Sequence, residues 1–236
     1  MKVEIWSDVV CPWCYVGKRR FEAALSGFPH AGDVQVHWRS FELDPRAPTR
    51  REGPYAERLA AKYGMSVAQA QASVDHMVEV GRGAGIEFNF AGAQPGNTFD
   101  AHRLLHLAYD HGCQGALKDR LLAATFTEGA AIGDRRVLRQ LAIDVGLDGD
   151  EVQGVLDTDR FAEEVRRDEH RAMALGINAV PFFLFDEKYG VAGAQSPTVF
   201  TQALEEVWNL TAPAGGNSVG EGTAGCQGDA CAIPGP

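Results

Sequence analysis

The chain has 236 residues, of which 45% are hydrophobic and 23% charged. That balance belongs to a folded globular protein and excludes wholesale disorder. No apolar run approaches the ~18–20 residues of a membrane helix. The net charge of −10, from 22 basic and 32 acidic residues, disfavours nucleic acid and anionic membrane as partners.

Residues 3–6 (Val-Glu-Ile-Trp) read as a short strand. Cys11-Pro12 then opens a helix, because proline at the first helical position has a preset backbone angle and gives up a donor that has no partner there. Cys14, Phe21, Leu25 and Phe28 form one apolar stripe of that helix. Residues 34–41 alternate like a strand, and Pro45, Pro48 and Pro54 mark an irregular connection. From about Tyr55 to about Asp157 the periodicity is helical. Leu59 and Tyr63 suit one helix, Val67 to Val78 a second, Leu104 to Ala108 a third capped by Asn97, Leu117 to Leu122 a fourth, and Val137 to Leu141 a fifth ending before Gly146. A helix is predicted over 158–175 with Gly176 as its stop. Residues 182–185 are an apolar strand, and Tyr189–Ala192 completes a hairpin with it. Ser196-Pro197 starts a last helix that runs to about Trp208.

The order is β-α-β, a helical block of roughly 100 residues, then α-β-β-α. Without the block, this is the thioredoxin arrangement. The expected architecture is α/β: a thioredoxin fold in residues 1–50 and 158–209, interrupted by an all-helical insertion at 51–157. Residues 210–236, rich in Gly, Ala and Pro, read as a flexible tail.

Cys11-Pro12-Trp13-Cys14 carries the chemistry. Disulfide exchange needs one accessible thiolate and a second thiol close enough to displace a bound partner. Spacing by two residues puts both on the first helical turn. Cys11 meets the unpaired N–H groups and the positive end of the helix dipole, which favour its thiolate, while Cys14 falls on the buried stripe as the resolving thiol. As half of a zinc site the pair would need two more ligands, and no second close-spaced Cys/His pair stands in the body of the chain. No metal and no cofactor is expected.

The chain resembles the DsbA-type thiol oxidoreductases, in particular their FrnE-like branch. The resemblance rests on Ser7-Asp8-Val9-Val10-Cys11-Pro12-Trp13-Cys14, on Asn97-Thr98 leading to Ala101-His102-Arg103, on Ala179-Val180-Pro181-Phe182, and on Gly193-Ala194-Gln195-Ser196-Pro197. It spans residues 1 to about 209, and the Cys226/Cys231 pair also matches. It implies that Cys11 attacks, that Cys14 resolves, and that Val180-Pro181 is a cis peptide facing them. In such a fold Pro181 is expected across from the dithiol turn. There the Val180 backbone is free to pair with an extended substrate, beside Trp13. An ordinary trans proline at a strand start is the plain alternative.

Trp13 cannot donate as a charged imidazole does. The couple is therefore expected at roughly −150 to −230 mV, more reducing than the about −120 mV of DsbA itself. The N-terminus, Met1-Lys2-Val3-Glu4-Ile5-Trp6-Ser7-Asp8, has no room for the apolar core of a secretory signal, which points to the cytoplasm. There the pair would reduce or isomerise disulfides of proteins or small molecules, with thioredoxin or glutathione as redox partner. Two other functions fit the layout. One is a glutathione-dependent transferase or 2-hydroxychromene-2-carboxylate isomerase, whose relatives lack the dithiol; the other is a redox-sensitive binding protein for exposed chains.

Cys226 and Cys231 lie beyond a stretch from Asn209 to Gly225, 17 residues with a coil span of roughly 20–25 Å. The pair either exchanges with Cys11–Cys14 or is a local disulfide or two free thiols. Cys113 reads as a bystander thiol. His102 and His106, spaced i, i+4, read as a helix face, a metal pair or groups facing the substrate cleft. Asp8 either influences Cys14 or shapes a turn. Gly81-Arg82-Gly83-Ala84-Gly85 follows a helix rather than a strand and is not a nucleotide loop.

Overall fold

The computed structural model describes residues 1–211 and the backbone of residues 230–232. Strand β1 (Lys2–Ser7) runs parallel to β2 (Gln35–Ser40), with Lys2 opposite Gln35 and Ser7 opposite Ser40. On its other side β1 pairs antiparallel with β3 (Phe182–Phe185), which forms a hairpin with β4 (Tyr189–Ala192). The sheet order is β2-β1-β3-β4, and the short strand β5 (Ala230–Ala232) pairs with the outer edge of β4. Beyond residue 211 this strand is the only part of the chain among the described residues. Cys226 lies outside the described residues; the backbone of Cys231 sits opposite Gly190.

Helices α1 (Pro12–Ser26) and α9 (Pro197–Thr211) cover one face of the sheet, and α8 (Ala162–Ala174) covers the other. On the first face Val3, Ile5, Phe183 and Phe185 meet Phe21, Phe200 and Leu204. On the second, Trp6 and Leu184 pack on Ala172 and Ile177. This is a thioredoxin fold. The helical insertion carries α2 (Tyr55–Tyr63), α3 (Val67–Gly83), α4 (Phe99–Asp110), α5 (Gln114–Ala123), α6 (Arg135–Asp144) and α7 (Gly149–Asp157). Of its three clusters, the small one of Ala56, Ala60 and Ala70 is its own, and the other two take in residues from the start of α1 or the turn before it. Val9 packs with Leu104, Leu107 and Leu121, while Tyr15 and Val16 pack with Met77, Phe90 and Phe126. The insertion therefore grips the end of β1 and the start of α1.

Two helices differ from the sequence reading. Residues 149–157 form a helix of their own, started by the Asp148 side chain, which accepts from Asp150 and Glu151 N–H. The helix predicted over 158–175 begins at Ala162. Arg103, buried beneath, explains the break. Its guanidinium donates to the carbonyls of Val155, Thr158 and Arg160, so these oxygens bind an arginine instead of continuing a helical ladder. Phe161 turns the chain with φ 66° just before α8. Asn97 caps α4 from one residue further out than a standard cap, its side-chain oxygen accepting from Phe99 N–H at 3.0 Å.

Candidate active site

The site forms where β1 hands over to α1. Cys11 is the N-cap of α1, with extended backbone angles of −101° and 111°, and Pro12 follows as the first helical residue. The cap sulfur accepts from Cys14 N–H at 3.3 Å. The Cys11 thiol also donates to the Val180 carbonyl at 3.6 Å. The Val180–Pro181 peptide is cis. The Pro181 ring lies against α1 at Gly17, where a Cβ would come within 2.9 Å of Pro181 Cγ. Glycine at 17 thus lets the loop bearing Val180 close onto the dithiol turn.

Cys14 is 0% exposed, Cys11 5% and Trp13 40%. Cys11 is therefore the sulfur nearer solvent, but it lies deeper than the accessible thiol predicted from sequence. Its acidity also departs from that expectation. Cys11 is raised, first by its hydrogen bond with Cys14, then by burial and by charge on Cys14, against the single Cys14 N–H that favours its thiolate. Burial also opposes ionisation of Cys14. The hydrogen bond from Cys11, the Lys118 ammonium, the Ser7 hydroxyl and the Asp8 N–H outweigh it and bring Cys14 below the ordinary thiol value. The helix-end effect expected at Cys11 is present as one N–H and is overridden in this closed dithiol.

Beneath the sulfurs lies a buried polar layer. Asp8 Oδ2 accepts from Leu43 N–H at 2.8 Å, and Asp8 Oδ1 is 3.3 Å from His102 Nε2. Burial by itself raises the Asp8 carboxyl; the His102 imidazole, the Leu43 N–H and Lys118 reverse this and hold it below its ordinary value. His106 serves a different carboxylate, with Nε2 3.3 Å from Asp168 Oδ2 and 3.1 Å from Ser40 Oγ. The two histidines are buried on separate partners, so neither faces a substrate cleft.

Three neighbours of the site escaped the sequence reading. Leu43, exposed, follows Asp8 across the loop after β2. Tyr55, on α2, has its phenol pushed up to about 12 by burial and then by the proximity of Cys11. Lys118, on α5, donates to the Ser7 carbonyl at 3.3 Å. A signal for Lys118 existed: it shares a helix face with Gln114, Leu121 and Leu122, and all four are buried.

Comparison with known proteins places the fold. A solved structure of a probable DsbA oxidoreductase, SCO1869 from Streptomyces coelicolor, is similar over all of both chains, with 46% identity and a TM-score of 0.85. The uncharacterized protein YwbO of Bacillus subtilis is 33% identical over 207 residues, 86% of this chain and 96% of that one. The cytosolic disulfide reductase DsbM of Pseudomonas aeruginosa shares the fold, with a TM-score of 0.62 at 18% identity over 89% of this chain and all of DsbM. The family model for the DSBA-like thioredoxin domain matches residues 2–205. With a thioredoxin sheet, an inserted helical block and a match over nearly its whole described length, the chain belongs to the DSBA-like thioredoxin domain family.

Proposed function

We propose that the protein is a thiol-disulfide oxidoreductase that reduces or isomerises protein disulfides through Cys11 and Cys14. The observation that carries this reading is the placement of Cys11. Its sulfur caps α1, accepts from Cys14 N–H at 3.3 Å and lies 3.6 Å from the Val180 carbonyl, with Cys14 directly behind it. Cys11 attacks a substrate disulfide and forms a mixed disulfide, releasing the first substrate sulfur. Cys14 then attacks Cys11 and releases the second. Two electrons pass to the substrate, and the protons of both thiols end on the released sulfurs. The Val180 backbone pairs with an extended substrate segment, and exposed Trp13 supplies an apolar contact beside it.

The same reading places residues 51–157 as the inserted domain and the protein in the cytoplasm, with thioredoxin or glutathione restoring the dithiol. Among the described residues no helix is long and apolar enough to cross a membrane. A related fold, DsbM, has been solved with glutathione, which supports a glutathione-linked cycle. Cys226 and Cys231 act as an auxiliary pair that exchanges with Cys11.

The test is reduction of insulin at catalytic protein concentration, coupled to thioredoxin or to glutathione. Cys11→Ser is expected to abolish turnover. Cys14→Ser is expected to accumulate a Cys11 mixed disulfide. Full turnover by Cys11→Ser would refute the assignment. The tail role fails if Cys14→Ser protein traps no mixed disulfide with either tail cysteine.

A further inference from the structure

Lys118 is 0% exposed, yet among the described residues its ammonium makes no salt bridge. One hydrogen bond leads to the Ser7 carbonyl at 3.3 Å, and the Trp38 ring lies 5.5 Å away. A buried ammonium without an anion is costly. Asp8, the carboxylate whose charge acts most on it, is already engaged by Leu43 N–H and His102. Cys14 is likewise 0% exposed and is the group whose charge most favours the protonated lysine, and the buried Ser7 hydroxyl favours the Cys14 thiolate from the same side as the carbonyl that Lys118 holds. The lysine is held firmly in place. Gln114, one turn earlier on α5, bonds Trp38 through both amide atoms, and Asp119, the next residue, pairs with Lys18 of α1 at 2.8 Å.

We propose that Lys118 is a positioning residue for the redox step, whose buried ammonium is the counter-ion that holds the Cys14 sulfur as a thiolate, with the Ser7 hydroxyl as its second support. This rests on the oxidoreductase reading above and adds what the inserted domain contributes to it. Once Cys11 is joined to a substrate sulfur, Cys14 is the remaining nucleophile, and no water reaches it. As a thiolate it attacks Cys11 Sγ, the Cys11–substrate bond breaks, and the substrate sulfur leaves with the electron pair. Lys118 keeps its proton throughout. The groups acting on it are Cys14 and Lys18 of α1, Cys11 at its cap, Asp8 of the preceding turn, which pairs with His102 of α4, and the Trp38 ring of β2. Their effects on the amine agree with this arrangement. The amine ends lowered to about 8, by burial above all; Cys14 opposes this most strongly, then Asp8 and Cys11, and Lys18 adds to the lowering.

The experiment uses the full chain. Ultraviolet thiolate absorbance is titrated in Cys11→Ser protein, and the Cys11→Ser/Cys14→Ser signal is subtracted to isolate Cys14. Lys118→Met is expected to raise the Cys14 midpoint by at least about one pH unit, and Lys118→Arg to restore it. With Cys11 intact, release of glutathione from a preformed Cys11–glutathione mixed disulfide is expected to slow about tenfold at neutral pH in Lys118→Met. Ser7→Ala, which leaves the lysine in place, is expected to shift the midpoint in the same direction by less. An unmoved midpoint in folded Lys118→Met overturns the proposal; if that variant does not fold, an unmoved midpoint in Ser7→Ala does so. A shifted midpoint in protein whose wild type turns over no disulfide upholds the ion pair and refutes the oxidoreductase reading, whereas turnover with an unmoved midpoint refutes the ion pair alone.

Discussion

Gln114 bonds to Trp38 as a peptide group of a neighbouring strand would. Its amide oxygen accepts from Trp38 N–H and its amide nitrogen donates to the Trp38 carbonyl, both at 2.9 Å. Strand β2 is a sheet edge, and this contact closes its centre without a further strand. It also registers α5 against the sheet, which sets where Lys118 falls. Gln114→Leu strands two buried backbone groups and is expected to cost about 1–3 kcal/mol. Urea melts of the two proteins measure this, with aggregation on partial unfolding as a second sign.

Gly17→Ala tests the closeness of α1 to Pro181. The added methyl meets Pro181 Cγ at 2.9 Å and the Phe183 ring at 3.4 Å. The expected loss is about 1–3 kcal/mol of stability, together with a lower rate of disulfide turnover, because the loop bearing Val180 must retreat from Cys11. Unchanged turnover with an unchanged melt would show that the loop absorbs the methyl freely.

Asp8→Asn breaks a buried pair with His102 and is expected to cost about 3 kcal/mol at neutral pH. The Asp8 carboxyl is held below its ordinary value of 3.8 in the folded protein. Its contribution is complete above that ordinary value and is lost as the pH falls through the folded one. The stability gap between wild type and Asp8→Asn should therefore be flat near neutrality and narrow on acidification. Denaturant melts across a pH series check this.

His37 gives the fold a second, milder acid sensitivity. Its imidazole stacks on Tyr109 at 4.0 Å and 12°. Burial, and then the Arg39 charge, push it down from 6.5 to about 4. Between those two values the unfolded chain binds a proton that the folded chain refuses, so stability falls as the pH drops across that window. His37→Phe keeps the stack and is expected to flatten the slope. An equal slope in both proteins would assign the acid sensitivity elsewhere.

The equilibrium of the dithiol with a glutathione buffer, followed by Trp13 fluorescence, is expected to give a potential of roughly −150 to −230 mV. A value near about −120 mV would mean that a residue other than Trp13 stabilises the reduced form. Lys118 would be the first to exchange.

The dithiol was legible in the chain because its signal is local. A short apolar strand, a cysteine followed by proline, and an apolar stripe each follow from backbone geometry over a few residues. The hairpin at 182–192 and the proline before it are legible for the same reason. Helix ends were less so. The break between α7 and α8 depends on Arg103, about 50 residues away, taking carbonyls that a local reading assigns to a helix. The acidity of the pair was also out of reach. Sequence places Cys11 at a helix end and predicts its thiolate, but burial of Cys11 and the proximity of Lys118 to Cys14 arise only when the inserted helices close over the end of β1.

From its own residues the chain therefore determined a strand, a pair of cysteines on a helix end and a proline loop to face it. Which sulfur carries the charge, what lies beneath it, and how the edge of β2 is closed were decided by tertiary contact. Ser7 and Lys118 are 111 positions apart and meet through one hydrogen bond. No period in a sequence encodes such a contact, because it depends on how whole helices pack against a sheet.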